Sequence, residues 1–138
     1  MKVFADTNVL VAAFATRGLC ADVIRIVLAE HELVVSPGVL AELTRVLVEK
    51  FGVPEATVRE IDLFLRTSAT VVAEPPGAQR AGLRDPDDEA ILAAAFASDA
   101  EVLVTGDKDL LEIAERAALR IVDPRGFWQL VRKPRPTR

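Results

Sequence analysis

One cysteine and one histidine in 138 residues remove several chemistries at the outset. With Cys20 alone no internal disulfide is available, which fits a reducing compartment. Cys20 sits in a helical pattern and is expected in the core. Cys20 and His31 together cannot build a zinc cluster, which needs three or four nitrogen and sulfur ligands. A histidine-activated serine would have to use His31. That residue stands between Glu30 and Glu32 at a helix end, where a solvated side chain is expected. Tyrosine is absent, so no tyrosine nucleophile exists. There is no Gly-x-Gly-x-x-Gly or Walker phosphate loop. No apolar run approaches the roughly 18 residues of a membrane span, and the start has no signal-peptide pattern. A soluble, cytoplasmic protein without a membrane partner is the expectation.

What is present is apolar and acidic. Hydrophobic residues make up 51% of the chain, so a packed core is expected. A chain of this length buries about 70% of its unfolded surface without staples. The expected organisation is one domain over residues 1–131, with a flexible basic tail at 132–138. The net charge of −4 is unevenly spread. From Arg125 onward there are five basic side chains (Arg125, Arg132, Lys133, Arg135, Arg138) and no acidic ones, leaving 12 basic against 21 acidic elsewhere, a balance of −9. An acidic body is a poor general nucleic-acid binder, because phosphate contacts normally come from Lys and Arg. Bound cations would make it compatible with a phosphate substrate.

Short apolar runs alternate with helical patterns along the chain. Val3-Phe4-Ala5 is too brief for a helix and suits a buried strand, ended by Asp6. Val9 to Phe14 and Cys20 to Ala29 read as helix, broken at Gly18. Leu33-Val34-Val35 is a second strand. Ser36 and Pro37 then supply an N-cap and first-turn proline for a helix to about Phe51, stopped by Gly52. Pro54 starts a helix with a broad apolar face of Val58, Ile61, Leu63, Phe64 and Leu65. Thr70 to Ala73 is strand three, and Pro75-Pro76-Gly77 opens a polar connection to Arg84. Asp85-Pro86 begins a helix ending near Ser98. Val102-Leu103-Val104 is strand four, Lys108 to Ala117 a helix, Arg120-Ile121-Val122 strand five. Pro124 leads into a last helix. Phe14, Phe64, Phe127 and Trp128 are expected in the core in preference to a partner groove. This alternation predicts a three-layer α/β/α sandwich around a parallel sheet of about five strands.

In such a sheet every helix after a parallel strand begins on the carboxyl rim, where ligands bind. Acids near strand ends therefore converge. At 100° per residue, with Leu43 at zero, Val39, Leu40, Val46 and Leu47 span about −60° to +60° and Glu42 lies at about −100°, bordering the buried stripe. A flanking surface glutamate has that position too. With Ile91 at zero, Leu92, Ala95 and Phe96 cover 0° to about 140°, and Asp88 sits at about 60°, inside the apolar face. A charge there should be paired, metal-bound or solvated at the helix end. Capping and the helix dipole explain Asp85 well and Asp87 tolerably. They do not explain why Asp88 points inward. Asp107 follows strand four as Asp6 follows strand one, and capping of the next helix is an equal reading of it. Gly106 beside it permits close backbone approach or an unusual dihedral.

Like charges about 4 Å apart repel by roughly 4 kcal/mol per pair at an effective dielectric of 20. Several carboxylates in one pocket thus oppose folding by around 10 kcal/mol unless protonated or bound to a cation. All-oxygen ligands select Mg²⁺ or Mn²⁺ before Zn²⁺. Such ions activate water and stabilise the leaving oxygen of an in-line displacement.

Asp6-Thr7-Asn8 after strand one, Glu42 in an apolar helix, Asp85-Pro86-Asp87-Asp88 with Ile91 and Ala94, and Thr105-Gly106-Asp107-Lys108-Asp109-Leu110, in this order, resemble the PIN-domain family. The likeness is to its VapC-like toxin nucleases and covers roughly residues 2 to 130. It implies Asp6, Glu42, Asp88 and Asp107 as catalytic ligands of Mg²⁺ or Mn²⁺. It also implies that Asn8 and Thr105 orient carboxylates and that Asp109 is an outer ligand. Asp85 and Asp87 are close enough to share the third acid's role. The resemblance further implies a single-strand-directed ribonuclease, a homodimer, and inhibition by a cognate antitoxin protein in the acidic groove.

Metal-dependent hydrolysis of RNA, by the toxin of a toxin–antitoxin pair, is the leading expectation. A catalytically silent binding module of the same fold, regulating a partner, is the alternative; a full set of mutually repelling acids argues against it. A phosphatase using Asp6 as covalent nucleophile would want a second carboxylate two residues on, where Asn8 stands.

Overall fold

A computed structural model of the chain describes residues 1–75, 86–114 and 117–132. Five strands are present: β1 (Lys2–Ala5), β2 (Glu32–Val35), β3 (Thr70–Val71), β4 (Val102–Val104) and β5 (Arg120–Val122). They form one sheet in the order β3-β2-β1-β4-β5, parallel throughout. Seven helices intervene among the described residues: α1 (Thr7–Ala15), α2 (Leu19–Glu30), α3 (Pro37–Glu49), α4 (Glu55–Ser68), α5 (Pro86–Ala97), α6 (Lys108–Glu112) and α7 (Pro124–Arg132). The architecture is the expected α/β/α sandwich.

The inner strands are continuous apolar triplets because both faces of a parallel sheet are covered by helices. Val3-Phe4-Ala5, Leu33-Val34-Val35 and Val102-Leu103-Val104 are all 2% exposed or less. The chain builds outward from β1 through β2 to β3, then returns to the other side of β1 for β4 and β5. The order therefore reverses between β1 and β4, and a ligand crevice is expected at such a reversal. Ala5 is in register with Val104, and the Asp6 N–H donates to the Val104 carbonyl at 3.0 Å, carrying the ladder one residue past β1.

Helix starts follow their signals. The Ser36 hydroxyl accepts from the Val39 N–H at 3.2 Å, with Pro37 in the first helical position. The Gly52 N–H donates to the Val48 carbonyl beyond the end of α3, and Gly52 sits at φ +62°, where a side chain costs energy.

Several expectations are corrected. β3 is only Thr70–Val71. α6 ends at Glu112 instead of Ala117, because Ile113 leaves helical geometry (φ −92°, ψ 5°) while remaining packed on the core, so the apolar pattern outlasts the helix. The apolar face of α4 is narrower than expected. Val58 and Leu65 are buried and Ile61 is partly buried, but Leu63 and Phe64 are 64% and 45% exposed. On a 3.6-residue helix, positions 58, 61 and 65 share one stripe and 63 lies nearly opposite. Phe96, placed on the α5 apolar face, is exposed, whereas Phe127 is fully buried and Phe14 and Trp128 pack partly against the core. His31 is half-buried instead of solvated, edge-on to Phe127 with centroids 6.1 Å apart. Most of the 75–84 connection, Asp85 and the tail from Lys133 lie outside the described residues.

Gly52→Ala should destabilise the protein by about 1–2 kcal/mol through the left-handed backbone alone, since no atom lies within 4 Å of the added methyl. Urea unfolding at constant pH measures it; an unchanged midpoint would contradict the assignment.

Candidate metal and nuclease site

Asp6 stands where β1 ends and α1 begins, and it is 4% exposed. Burying an ionised carboxylate is costly unless its oxygens are hydrogen-bonded. Here both are: Oδ1 accepts from the Thr7 N–H at 2.7 Å, and Oδ2 from the Thr105 hydroxyl at 2.6 Å. Thr105 is fully buried and directly follows β4, beside Asp6 across the extended ladder. Its oxygen in turn accepts from the Asp107 N–H at 3.0 Å. One hydroxyl thus ties the first carboxylate to the backbone that carries the second.

Asp107 caps α6: its Oδ1 accepts from the Asp109 and Leu110 N–H groups at 2.8 and 3.4 Å. Capping uses only Oδ1, and the side chain still lines the cleft. The cap and the cleft residue are one and the same. Asn8 reaches across the reversal, its Oδ1 accepting from the Gly106 N–H at 3.4 Å. Gly106 has no positive φ, and a Cβ there would meet Asn8 at an ordinary 3.6 Å. Of the two roles open to Gly106, a positive φ is not the one it fills.

Asp88, in the first turn of α5, is 6% exposed and does face inward, as its helical angle predicts. Glu42, on α3, is half-buried and forms an ion pair with Arg45, which also reaches Glu49 at 3.6 Å. A cleft of about 490 Å³ is lined by Asp6, Glu42, Asp88 and Asp107 together, with Asp87 and Asn8 on its wall. A smaller cavity of about 90 Å³ shares Thr7, Glu42, Asp87 and Ile91 with it and adds Glu74, whose Oε1 accepts from the Gly38 N–H at 2.7 Å. Four acids from four elements do meet in one cleft.

Within it, the carboxylates are not equivalent. Among the described residues, Asp88, Asp107 and Asp109 offer oxygens all within 4.8 Å of one another. An octahedral Mg²⁺ with bonds of about 2.1 Å sets its ligand oxygens roughly 2.9–4.2 Å apart. The triad fits such an ion after a small closure, and its all-oxygen chemistry selects a hard cation. Asp109, expected as an outer ligand, thus belongs to the tightest acidic group. Asp6 and Glu42 line the same cleft with their oxygens turned to Thr105, Thr7 and Arg45.

Burial raises the Asp6 carboxyl above its ordinary 3.8; the bonds from Thr105 and Thr7 oppose the rise, and nearby Asp107 adds to it. Sequence reasoning missed the far wall of the cleft, Val11, Ala12, Thr16, Val46, Lys50 and Phe51. The signal was the four-residue spacing of Glu42, Val46 and Lys50 on one helix stripe.

The family model for the PIN domain matches residues 2–109. None of the curated protein sequences matches the chain. Solved structures similar to it include the following three. VapBC2 from Rickettsia felis, bound to a DNA fragment from its promoter, aligns at 18% identity over 89% of this chain and 98% of that one, TM-score 0.64. VapBC-1 from nontypeable Haemophilus influenzae aligns at 21% identity over 91% and 99%, TM-score 0.62. VapC20 from Mycobacterium tuberculosis, described as a Sarcin-Ricin loop cleaving toxin, aligns at 16% identity over 80% and 93%, TM-score 0.59.

A carboxylate whose pKa is raised on folding binds protons the unfolded chain has released, so stability falls as pH rises from 3.8 through the folded value. Asp6→Asn removes that penalty. In metal-free protein at pH 7 its thermal midpoint should exceed wild type by a few degrees, the gap closing toward pH 4. A difference between the two midpoints that stays the same from pH 4 to pH 7 would overturn the raised carboxyl of Asp6.

Proposed function

We propose, from the premise that this chain belongs to the PIN-domain family, that it is a metal-dependent ribonuclease and the toxin of a toxin–antitoxin pair. The observation that carries the reading is the single cleft where Asp6, Glu42, Asp88 and Asp107 meet at the sheet's reversal point. Asp88, Asp107 and Asp109 would hold Mg²⁺ or Mn²⁺, with Asp6 and Glu42 completing the site. Such an ion supplies Lewis acidity toward water and phosphate oxygens.

The chain's own groups then have distinct tasks. Thr105 and the Thr7 N–H hold Asp6 in one orientation, so no reorganisation is required when substrate arrives. Asn8 fastens the β1 and β4 ends through the Gly106 N–H, keeping the Asp6 and Asp107 backbones in fixed separation. Glu42 is held by Arg45 on the exposed side of α3 and can turn between that partner and the cleft. Water activated by the bound ion would serve as nucleophile, so no side-chain nucleophile is required.

A cognate antitoxin, inserting into the acidic groove, would be the natural inhibitor; the solved VapBC structures support this partner. A homodimer, a cytoplasmic location and a single catalytic domain over residues 1–131 complete the proposal. No helix among the described residues is long and apolar enough to cross a membrane.

Purified protein should cleave mixed single-stranded RNA with Mn²⁺ or Mg²⁺ and lose activity in excess chelator. Asp6→Asn and Asp88→Asn should each lower kcat/KM at least about 100-fold, the scale of removing one preorganised group at a reacting centre. Undiminished cleavage by a clean Asp6→Asn preparation would overturn the assignment. Millimolar Mn²⁺ should also raise the wild-type melting midpoint, as any ligand specific to the folded state does; calorimetry that detects no metal binding would favour a silent module.

A further inference from the structure

The acidic cleft has a second, chemically different end. α3 lays Glu42, Val46 and Lys50 along it at four-residue intervals, and Phe51 follows where the helix stops. α1 forms the facing wall through Asn8, Val11, Ala12 and Thr16. With a rise of about 1.5 Å per residue, Lys50 lies roughly 12 Å from Glu42 along the helix. Acids hold one end, apolar Val11 and Val46 the middle, and a cation with an aromatic ring the other end.

Two features make that far end a binding surface. The Phe51 ring is 49% exposed on the cleft wall, an apolar face left partly in water, and the left-handed turn at Gly52 sets the chain direction just after it. Arg45, on the same helix, is engaged by Glu42 and Glu49. The ion pairs among the described residues leave Lys50 out. Lys50 is the one cationic residue among the described residues that line the cleft.

We infer that Lys50 and Phe51 form a nucleotide subsite for single-stranded RNA. Phe51 stacks on a base and Lys50 contacts the adjoining phosphate. At about 3.4 Å per stacked nucleotide, fewer residues if the strand is extended, the subsite lies roughly two to four nucleotides from the phosphate that is cut. The inference rests on the ribonuclease reading and specifies how that enzyme grips its substrate. An acidic body repels a polyanion, so affinity must come from contacts that need little positive charge. Base stacking on an aromatic ring is such a contact, and it tolerates any sequence. A duplex keeps its bases stacked on each other and offers the ring no face, so a single strand is the occupant.

The test uses a 5′-labelled single-stranded oligoribonucleotide with a mapped cut site, and a series carrying one abasic nucleotide at each position. For wild type, the abasic residue at one position two to four nucleotides from the cut should raise KM about tenfold, with kcat little changed. Phe51→Ala should raise KM for the intact RNA by a similar factor and become insensitive to that abasic position, while Phe51→Trp restores both. Lys50→Ala should raise KM for all sequences and lower the slope of log KM against log salt by about 0.7. Additive effects of Phe51→Ala and the abasic residue, or an unchanged KM, would overturn the subsite and leave Phe51 as an anchor for a protein partner. If wild type cuts no RNA, the hydrolase reading fails separately. Fluorescence anisotropy of the same RNA in Ca²⁺ then decides the subsite: weaker binding by Phe51→Ala supports it and equal binding overturns it.

Discussion

The hydrogen bond from the Thr105 hydroxyl to Asp6 is the constraint on which the site depends. Its partners are 99 residues apart in the chain and become neighbours because β1 and β4 pair in parallel with Ala5 opposite Val104. A one-residue slip in that register would turn Asp6 to the other face of the sheet and leave a buried carboxylate without its donor. The apolar triplets of β1, β2 and β4 anchor these strands in the core, and the pairing of Val3 with Val102 through Ala5 with Val104 brings Asp6 beside Thr105. Packing of the most ordinary hydrophobic residues thus positions the most demanding polar one.

The acids serve two purposes at once. Asp107 caps α6 with one oxygen and lines the cleft. Asp6 accepts the first N–H of α1 and a hydroxyl from the next strand end. Capping and metal binding therefore are not rival explanations of these residues. A parallel strand followed by a helix presents an N-terminus at the same rim where substrate sits, and a carboxylate there satisfies N–H groups while facing the crevice. The cost is electrostatic. Burial pushes the Asp6 carboxyl upward, the bonds from Thr105 and Thr7 oppose this, and Asp107 adds to it, a stress that a divalent ion would relieve.

Local pattern revealed some of this directly. The inward angle of Asp88 on α5 was legible from its place among Leu92 and Ala95, and it is buried as that angle requires. Ser36-Pro37 marked the start of α3, and Gly52 its end. Other features were not legible. Leu63, Phe64 and Phe96 are as hydrophobic as any core residue, yet no element covers them among the described residues, and hydropathy does not say which side of a helix meets the sheet. The apolar pattern outlasts α6 because Ile113 and Ala117 stay packed against the core beyond the helix end at Glu112. That Asp109 approaches Asp88 and Asp107 closely was not legible either, since Asp88 stands on another helix.

The amino-acid sequence by itself determined the alternation of strands and helices, the parallel sheet, and the rim on which the acids emerge. Those follow from side-chain periodicity and short-range backbone signals, which act over a few residues. Only the tertiary structure decided that β1 stands between β2 and β4, which oxygens are already engaged, and that Lys50 and Phe51 share a cleft with the acids. These depend on pairing and packing between segments up to 99 residues apart, and nothing in local propensity encodes which distant surfaces will touch.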